Sequence, residues 1–317
     1  MGPVNLRFGA FVEAFVANTM SVAIMAVAAK VSRIDPINVH FVYGLKKQHK
    51  PFELYKFIAI KSAILANWPC KVYFWYYFEP IGRYWELIKK NLVLVRVVPP
   101  SSIYGRPVSH YAHQADIIRL LVLIRYGGIY LDIDTISFRP MRGLLGEGVV
   151  LARQDSHGLC NATIVAKQNA PFLRRWLATY RTFNATGYNG DKTWDYHSVR
   201  VPFMLAKRYP KEVTILPSSA FFYFSFSQIG HEFLRGNDRL IYEDLIKKAY
   251  SVHLWETKTA RLLPNNLHDI LLRPTTLYRL VCKIILSSSI GTASEGTLLP
   301  TYPNLTKEYA EIHYILL

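Results

Sequence analysis

The chain has 317 residues, 51% hydrophobic and 14% aromatic, a composition that indicates a folded protein and excludes a disordered one. Its 38 basic and 22 acidic residues give a net charge of +16 that is spread along the chain without a nucleic-acid-binding motif. We therefore expect no nucleic-acid partner, and assign the charge to an anionic ligand or a membrane surface. The three cysteines lack metal-finger spacing and are expected to be buried. A single disulfide is the alternative if the chain lies in the lumen of the secretory pathway.

The N-terminal segment, residues 1–35, differs in composition from the rest of the chain. Residues 8–29 are mostly apolar, interrupted by Glu13 and Asn18, with basic residues on both sides. About 20 apolar residues suffice to cross a bilayer. A membrane anchor, a cleaved signal peptide and a buried helix all remain open on composition alone.

Strand-like and helix-like segments then alternate. Residues 52–67 and 81–90 have helical periodicity, whereas 38–44, 71–77 and 92–98 have the apolar and aromatic character of buried strands. This alternation predicts an α/β fold, a Rossmann-like and mainly parallel sheet flanked by helices. Ligands of such sheets bind beyond the carboxyl ends of the strands. Tyr43 and Gly44 are therefore expected to meet a nucleotide base, with a core aromatic as the alternative for Tyr43.

Residues 111–140 carry the strongest pattern. Apolar residues at helical spacing predict a helix over 115–125, with Asp116 and Arg119 on one side. Gly127 and Gly128 predict the end of that helix, since glycine adopts the left-handed conformation that ends helices.

A strand over 129–131 is expected to follow, with Ile133 on the face of Ile129 and Leu131, and with Asp132 and Asp134 together on the opposite face. Two carboxylates at a strand end suit a hard divalent cation such as Mg²⁺ or Mn²⁺. A solvated turn is the alternative for a D-x-D pattern considered alone.

This stretch, with Asp116, Arg119 and the double glycine beside it, resembles the signature of the D-x-D glycosyltransferases. Five more blocks are similar, in order, to family 32 glycosyltransferases: NVHFVYG (38–44), PFELYKFIAIKSAILANWPCKVYFWY (51–76), GLCNATIVA (158–166), YHSVRVPFMLA (196–206) and HLWE (253–256). The resemblance implies a GT-A fold and retaining transfer of a hexose. It implies a nucleotide-sugar donor, UDP- or GDP-linked, and a glycan or glycolipid hydroxyl as acceptor.

The resemblance also places a glycosyltransferase domain at 36–260 and a C-terminal extension at 261–317. Because Golgi members of the family are anchored in this way, residues 8–29 are expected to form a single-pass type II signal anchor in the Golgi or another secretory-pathway membrane. Residues 267–287, apolar and basic, are expected either to pack on the domain or to lie at a membrane interface. Sequons begin at Asn161, Asn184 and Asn304.

Individual site residues follow from the same resemblance. Asp116 would accept hydrogen bonds from sugar hydroxyls, and Arg119 would bind the diphosphate or the sugar through its planar guanidinium. His253 would complete a site for Mn²⁺, or Mg²⁺, with Asp132 and Asp134, because Mn²⁺ accepts nitrogen as well as oxygen. A hydrogen-bonded buried histidine is the alternative for His253.

Two residues of the later blocks are further active-site candidates. Asn161 is expected on a loop that faces the donor sugar, in which case its sequon would not be glycosylated. His197 is expected close to the active site. No residue is identified as general base.

Two other classes of function compete. LDIDTI resembles the D-x-D strand of haloacid dehalogenase phosphatases, but there the motif lies on the first strand, whereas here several predicted strands and helices precede it. A non-catalytic sugar-binding or scaffold protein would share the fold. The joint presence of the five residues that the resemblance assigns to donor and metal disfavours that alternative: Asp116, Arg119, Asp132, Asp134 and His253.

Overall fold

The computed structural model describes residues 35–184 and 195–291. The expected anchor at 8–29, the sequon at Asn304 and residues 292–317 of the C-terminal extension lie outside the described residues. Among the helices of the described ranges, none is long and apolar enough to cross a membrane.

The elements of the described residues begin and end as follows. The strands are β1 (Ile37–Val42), β2 (Cys70–Tyr76), β3 (Val93–Arg96), β4 (Ser102–Ile103), β5 (Arg106–Pro107), β6 (Gly128–Leu131), β7 (Thr135–Ser137), β8 (Val149–Asp155), β9 (Gly158–Ala166), β10 (Thr214–Leu216) and β11 (Ser251–His253). The helices are α1 (Leu54–Asn67), α2 (Arg83–Ile88), α3 (Tyr111–Tyr126), α4 (Pro171–Ala178), α5 (Val201–Arg208), α6 (Arg239–Lys248), α7 (Glu256–Thr259), α8 (Leu267–Leu271) and α9 (Thr276–Gly291). Short 3₁₀ turns lie at Lys89–Asn91, Arg142–Glu147, Thr179–Thr182 and Ser218–Ala220, and π-helical turns at Tyr196–Arg200 and Ile229–Arg235.

The central sheet has seven strands in the order β10-β8-β9-β6-β1-β2-β3. Strands β6, β1, β2 and β3 are mutually parallel, as are β10 and β8, whereas β9 runs antiparallel to both of its neighbours. The sheet is therefore mainly parallel and flanked by helices, which confirms the predicted Rossmann-like α/β fold. Strands β7 and β11 form a separate antiparallel pair.

Side chains of β6 divide between the two faces of the sheet as predicted. Ile129, Leu131 and Ile133 pack in the hydrophobic cluster that contains the buried face of α1. Tyr130 packs in the opposite cluster, which contains the apolar face of α3. Both clusters lie against the one strand that leads into the D-x-D motif, so that strand is held from both sides.

Helix α3 begins four residues before the predicted Ala115. The His110 side chain accepts a hydrogen bond from the Ala112 N–H at 3.1 Å and caps the helix, so the polar first turn is helical although it breaks the apolar periodicity. The predicted end is confirmed: Gly127 and Gly128 have φ of +60° and +105°. A side chain at Gly128 would also collide with the Asn38 carbonyl oxygen.

His40, on β1, ties this glycine turn to the sheet. Its Nδ1 accepts a hydrogen bond from Trp75 Nε1 at 3.2 Å, so Nε2 carries the proton and donates to the Gly127 carbonyl oxygen at 2.9 Å. Burial of the ring lowers the pKa of His40 to about 4, against the opposing effect of the hydrogen bond to Gly127. A neutral imidazole therefore links β1 and β2 to the turn that precedes the D-x-D motif.

The described part of the C-terminal extension packs on the domain. Leu277, Leu280 and Val281 of α9 share a hydrophobic cluster with Leu54 and Ile58 of α1. All three cysteines are free thiols; Cys70 and Cys160 are buried as predicted, whereas Cys282 is only half-buried.

Candidate active site

The D-x-D motif lies in a turn directly after β6, at the strand end where the sequence predicted the two carboxylates. Strand β6 ends at Leu131, and the Thr135 N–H donates to the Asp132 carbonyl oxygen at 3.0 Å, closing the turn. The chain turns here because β7 leaves the central sheet and pairs with β11. Asp134 is buried, with 8% of its side chain exposed, whereas 27% of the Asp132 side chain is exposed.

The β7–β11 pairing brings His253 to the motif. His253 lies opposite Thr135 in the antiparallel register, and its Nε2 is 3.1 Å from Asp134 Oδ1. One potential ligand atom from each of Asp132, Asp134 and His253 lies within 4.8 Å of the others. Two carboxylates and an imidazole are a suitable donor set for Mn²⁺. His253 Nδ1 is buried without a hydrogen-bond partner among the described residues, an atom that a ligand or water would satisfy.

Asp134 is held by the segment that follows His253. The Leu254 N–H donates to the Asp134 carbonyl oxygen at 2.9 Å, and the Glu256 N–H donates to Asp134 Oδ2 at 2.8 Å. Burial raises the pKa of the Asp134 carboxyl. The interactions with His253 and the Glu256 N–H lower this pKa by more, so it lies below its usual value. Burial lowers the pKa of His253, and the Asp134 carboxylate more than offsets this and raises it. Both directions favour the charged pair, and binding of a cation would release the imidazole proton, because histidine ligates a metal only as the neutral ring.

Arg119 joins the D-x-D turn to helix α3. Its guanidinium lies 3.2 Å from Asp116 Oδ1 and 3.3 Å from Asp132 Oδ1, and its Nη1 donates to the Asn161 carbonyl oxygen at 2.8 Å. The Tyr130 ring covers it at 4.5 Å, and the Tyr130 hydroxyl donates to Asp132 Oδ1 at 2.7 Å. Burial raises the pKa of Asp132. The nearby Arg119 lowers this pKa, but by less, so it lies above its usual value.

Asp116 and Asn161 meet on the other side of Arg119. Asn161 Nδ2 donates to Asp116 Oδ1 at 2.7 Å, and His113 Nδ1 lies 3.5 Å from Asp116 Oδ2. Burial raises the pKa of Asp116, but Arg119 and the hydrogen bonds from His113 and Asn161 lower it below its usual value. Asn161 lies on β9 and not on the expected loop, because β9 pairs along its length with β6 and β8. Its burial agrees with the expectation that this sequon carries no glycan.

Tyr43 and Gly44 follow β1 at its carboxyl end. The Tyr43 ring packs edge-on against Phe52 at 5.7 Å and lies 4.9 Å from Lys56 Nζ, while its hydroxyl donates to Gln48. Gly44 has φ of +73°, and a side chain there would collide with the Phe78 carbonyl oxygen. The role of this pair in binding a nucleotide base stays a prediction.

His197 lies on the Asp116 side of the site. Its buried ring is 4.8 Å from that of Tyr180 and 5.4 Å from that of Phe183, and its Nδ1 lacks a hydrogen-bond partner within the described ranges. Burial lowers the pKa of His197 to about 4, and His113 adds to this effect. No hydrogen bond among the described residues joins the His197 side chain to the D-x-D turn, so its catalytic role stays a prediction.

One polar cluster beside the motif was missed from the sequence. Glu256, next to Asp134, forms hydrogen bonds with Tyr55 and Lys56 at the start of α1. Lys56 also donates to Tyr55 and to Glu53. The available signal was Lys56 itself, a lysine among the apolar residues of a helix that was expected to be buried on the sheet.

Comparisons with known proteins find similarity over part of the chain. Residues 101–153 match the family described as glycosyltransferase sugar-binding region containing DXD motif. The Glucan organizing enzyme 1 of Cryptococcus neoformans var. grubii is 36% identical over 243 residues, which cover 72% of this chain and 64% of that protein. An uncharacterized protein of Arabidopsis thaliana is 26% identical over 174 residues, which cover 48% of this chain and 25% of that protein.

Among solved structures, the glycosyltransferase GlyE of Streptococcus pneumoniae is 14% identical with a TM-score of 0.43, covering 86% of this chain and 66% of that one. The chain spans less than two thirds of the length of the two curated relatives, 64% and 25%. The family match covers the stretch around the D-x-D motif, from which the resemblance was predicted.

Proposed function

We propose that this chain, which carries the sugar-binding region of the D-x-D glycosyltransferases at residues 101–153, is a metal-dependent transferase with a retaining mechanism. It moves a hexose from a UDP- or GDP-linked donor to a hydroxyl of a glycan or glycolipid. The observation that carries the proposal is the convergence of Asp132, Asp134 and His253 within 4.8 Å at the carboxyl end of β6.

These three residues would hold a divalent cation, Mn²⁺ or Mg²⁺. When bound, the cation acts as a Lewis acid that neutralises charge on the leaving diphosphate. Asp132 is the more exposed of the two carboxylates, whereas buried Asp134 is fixed by His253 and the Glu256 N–H. The orientation of the Asp134 carboxylate is therefore set before a cation binds.

Arg119 and Asp116 supply the polar wall beside the cation. The Arg119 donors are engaged with Asn161, Asp116 and Asp132, so this residue orients the two carboxylates and balances their charge. Asp116 is held ionised by these contacts, and a carboxylate in that state accepts hydrogen bonds from sugar hydroxyls. We infer that Asp116 binds the donor sugar and that Arg119 positions both acidic residues.

The name of the fungal relative supports a glycan acceptor, since it links that protein to the organisation of a glucan. The donor nucleotide is tested by calorimetric titration of UDP and GDP, each with and without Mn²⁺.

We expect one of the two nucleotides to bind with Mn²⁺ only, and Asp134→Asn to abolish that binding, because the amide cannot replace the anionic ligand. Asp244→Asn is the matched control, since Asp244 pairs with Lys248 on the outer surface of α6. Metal-independent binding of both nucleotides, or unchanged binding by Asp134→Asn, would contradict the proposal.

We also propose a secretory-pathway membrane, the Golgi or another, as the location, with residues 8–29 as a type II anchor. The apolar length of that segment and the basic net charge support it.

Asn184 is exposed and begins a sequon, so in secretory expression it should carry an N-glycan, whereas buried Asn161 should not. We expect glycosidase treatment to increase the electrophoretic mobility of the wild type and of Asn161→Gln. The part of that shift due to the Asn184 glycan should be lost in Asn184→Gln. Unglycosylated Asn184 in an expressed, folded chain would contradict a lumenal domain.

A further inference from the structure

Lys56 is a fully buried lysine next to the metal-ligand candidates. It lies in the first turn of α1, and 2% of its side chain is exposed. Its Nζ is 2.6 Å from Glu53 Oε2 and donates to the Tyr55 hydroxyl at 2.7 Å. A lysine is almost never buried unless it is paired, so a specific set of partners retains this one.

The same partners lead to the second segment of the site. The Tyr55 hydroxyl donates to Glu256 Oε1 at 2.5 Å, and Lys56 Nζ lies 3.4 Å from the same oxygen. The backbone N–H of Glu256 in turn donates to Asp134 Oδ2 at 2.8 Å. An unbroken chain of contacts therefore runs from Lys56 through Tyr55 and Glu256 to one carboxylate oxygen of the D-x-D motif.

The backbone before Glu256 needs such an anchor. Trp255 has φ of +55° and ψ of +52°, the left-handed conformation that a bulky residue rarely adopts. This conformation directs the chain so that the Glu256 N–H points at Asp134. The side chain of Glu256 is held by Tyr55 and Lys56, and the Trp255 indole N–H donates to the Phe224 carbonyl oxygen at 3.0 Å, so both side chains are anchored on neighbouring segments.

Helix α1 also holds the other side of Asp134. Ser62 Oγ accepts a hydrogen bond from the Ser137 N–H at 2.9 Å, and Asn67 Oδ1 accepts one from the Met141 N–H at 3.0 Å. One helix thus fixes strand β7, which follows Asp134, and through Tyr55 and Lys56 it fixes the segment after His253.

We propose that Tyr55 and Lys56 are positioning residues for the metal site: they anchor Glu256 so that its backbone N–H sets the orientation of the Asp134 carboxylate. This inference rests on the proposed function, because it needs Asp132, Asp134 and His253 to bind a divalent cation. Residues that orient metal ligands typically change metal affinity by roughly 10- to 100-fold when replaced. Neither Tyr55 nor Lys56 has to touch the cation or the donor for this effect.

The test is the affinity of the full chain for Mn²⁺ alone, measured by the electron paramagnetic resonance signal of free Mn²⁺ during titration. Tyr55→Phe removes only the hydroxyl, and Lys56→Met keeps the length of the side chain. We expect each to raise the Kd for Mn²⁺ by roughly tenfold while circular dichroism shows a folded protein. Tyr223→Phe is the control, since it removes an equivalent hydrogen bond from a tyrosine to Asp244 on α6, and it should leave the Kd unchanged.

The outcomes separate the inference from the proposed function. If the wild type binds Mn²⁺ and Asp134→Asn does not, but folded Tyr55→Phe binds it as the wild type does, the positioning role is wrong and the metal site stands. If the wild type does not bind Mn²⁺, both fail. A purely structural role would lower the thermal stability of Tyr55→Phe as it does for Tyr223→Phe, without a change in Mn²⁺ affinity. Weaker affinity in Tyr55→Phe alone supports the inference even if Lys56→Met does not fold.

Discussion

Replacing Arg119 with methionine should lower the free energy of unfolding by about 3 to 5 kcal/mol, the usual cost of removing one partner from a buried ion pair. The guanidinium is the cation next to both Asp116 and Asp132, at 3.2 and 3.3 Å, and 7% of the Arg119 side chain is exposed. Without it, two acidic groups lose their main favourable charge interaction inside the protein. Any variant that remains folded should also lose Mn²⁺-dependent nucleotide binding, because Asp132 is no longer oriented.

Urea unfolding at pH 7 measures the first effect, and the calorimetric titration measures the second. Arg239→Met is the matched control: Arg239 pairs with Glu243 but its side chain is 78% exposed, so its loss should change stability by less than about 1 kcal/mol. Adding Asp116→Leu should recover part of the stability lost in Arg119→Met, since it removes an unpaired buried carboxylate. A loss below about 1 kcal/mol for Arg119→Met would show that the buried network is not coupled as the distances indicate.

Acidification from pH 7.5 to pH 5 should destabilise the protein through His40 by about 2 kcal/mol. Burial lowers the pKa of His40 from 6.5 to about 4 in the folded state. Between these values the unfolded chain binds a proton that the folded chain rejects, so stability is complete above pH 6.5 and falls as the pH falls towards 4. The structural reason is that a proton on Nδ1 would face the Trp75 N–H, which donates to that atom.

The measurement is urea unfolding of the wild type and of His40→Gln at both pH values. The glutamine amide does not titrate, so the variant should lose about 2 kcal/mol less than the wild type over this interval, whatever its stability at pH 7.5. His157→Gln is the control, because His157 is exposed on the β8–β9 turn. Equal pH dependence in wild type and His40→Gln would show that His40 is protonated without cost in the fold.

Much of the central sheet followed from local sequence patterns. The order of β1, α1, β2 and β3, the glycine end of α3 and the two faces of β6 all depend on periodicity and on the conformational freedom of glycine. The antiparallel placement of β9 could not be predicted, because a strand buried along its whole length shows no sustained alternation of polar and apolar residues that would indicate its direction. The start of α3 was placed too late, since a histidine cap leaves no apolar signal in the first turn.

The candidate site was predictable for a different reason. Asp116, Arg119, Asp132, Asp134 and His253 were identified because the blocks around them resemble those of a family. Tyr55, Lys56 and Glu256 were missed because their contact joins α1 to the segment after β11. Tyr55 and Lys56 lie 201 and 200 residues before Glu256 in the sequence. Periodicity identifies the face of a helix that is buried, but not the distant residue that its polar groups meet.

The hydrogen bond between Asp134 and His253 joins positions 119 residues apart in the chain. Closing so long a loop is unfavourable in a disordered polypeptide, so the three ligand candidates come together only when β7 and β11 have paired in the finished fold. A cation that binds there therefore recognises the native state and not the unfolded one, and the stabilisation it gives grows with the logarithm of its concentration divided by its Kd. If the proposed site binds Mn²⁺, the shift in melting temperature on adding Mn²⁺ would report correct folding of the protein before any sugar donor is identified.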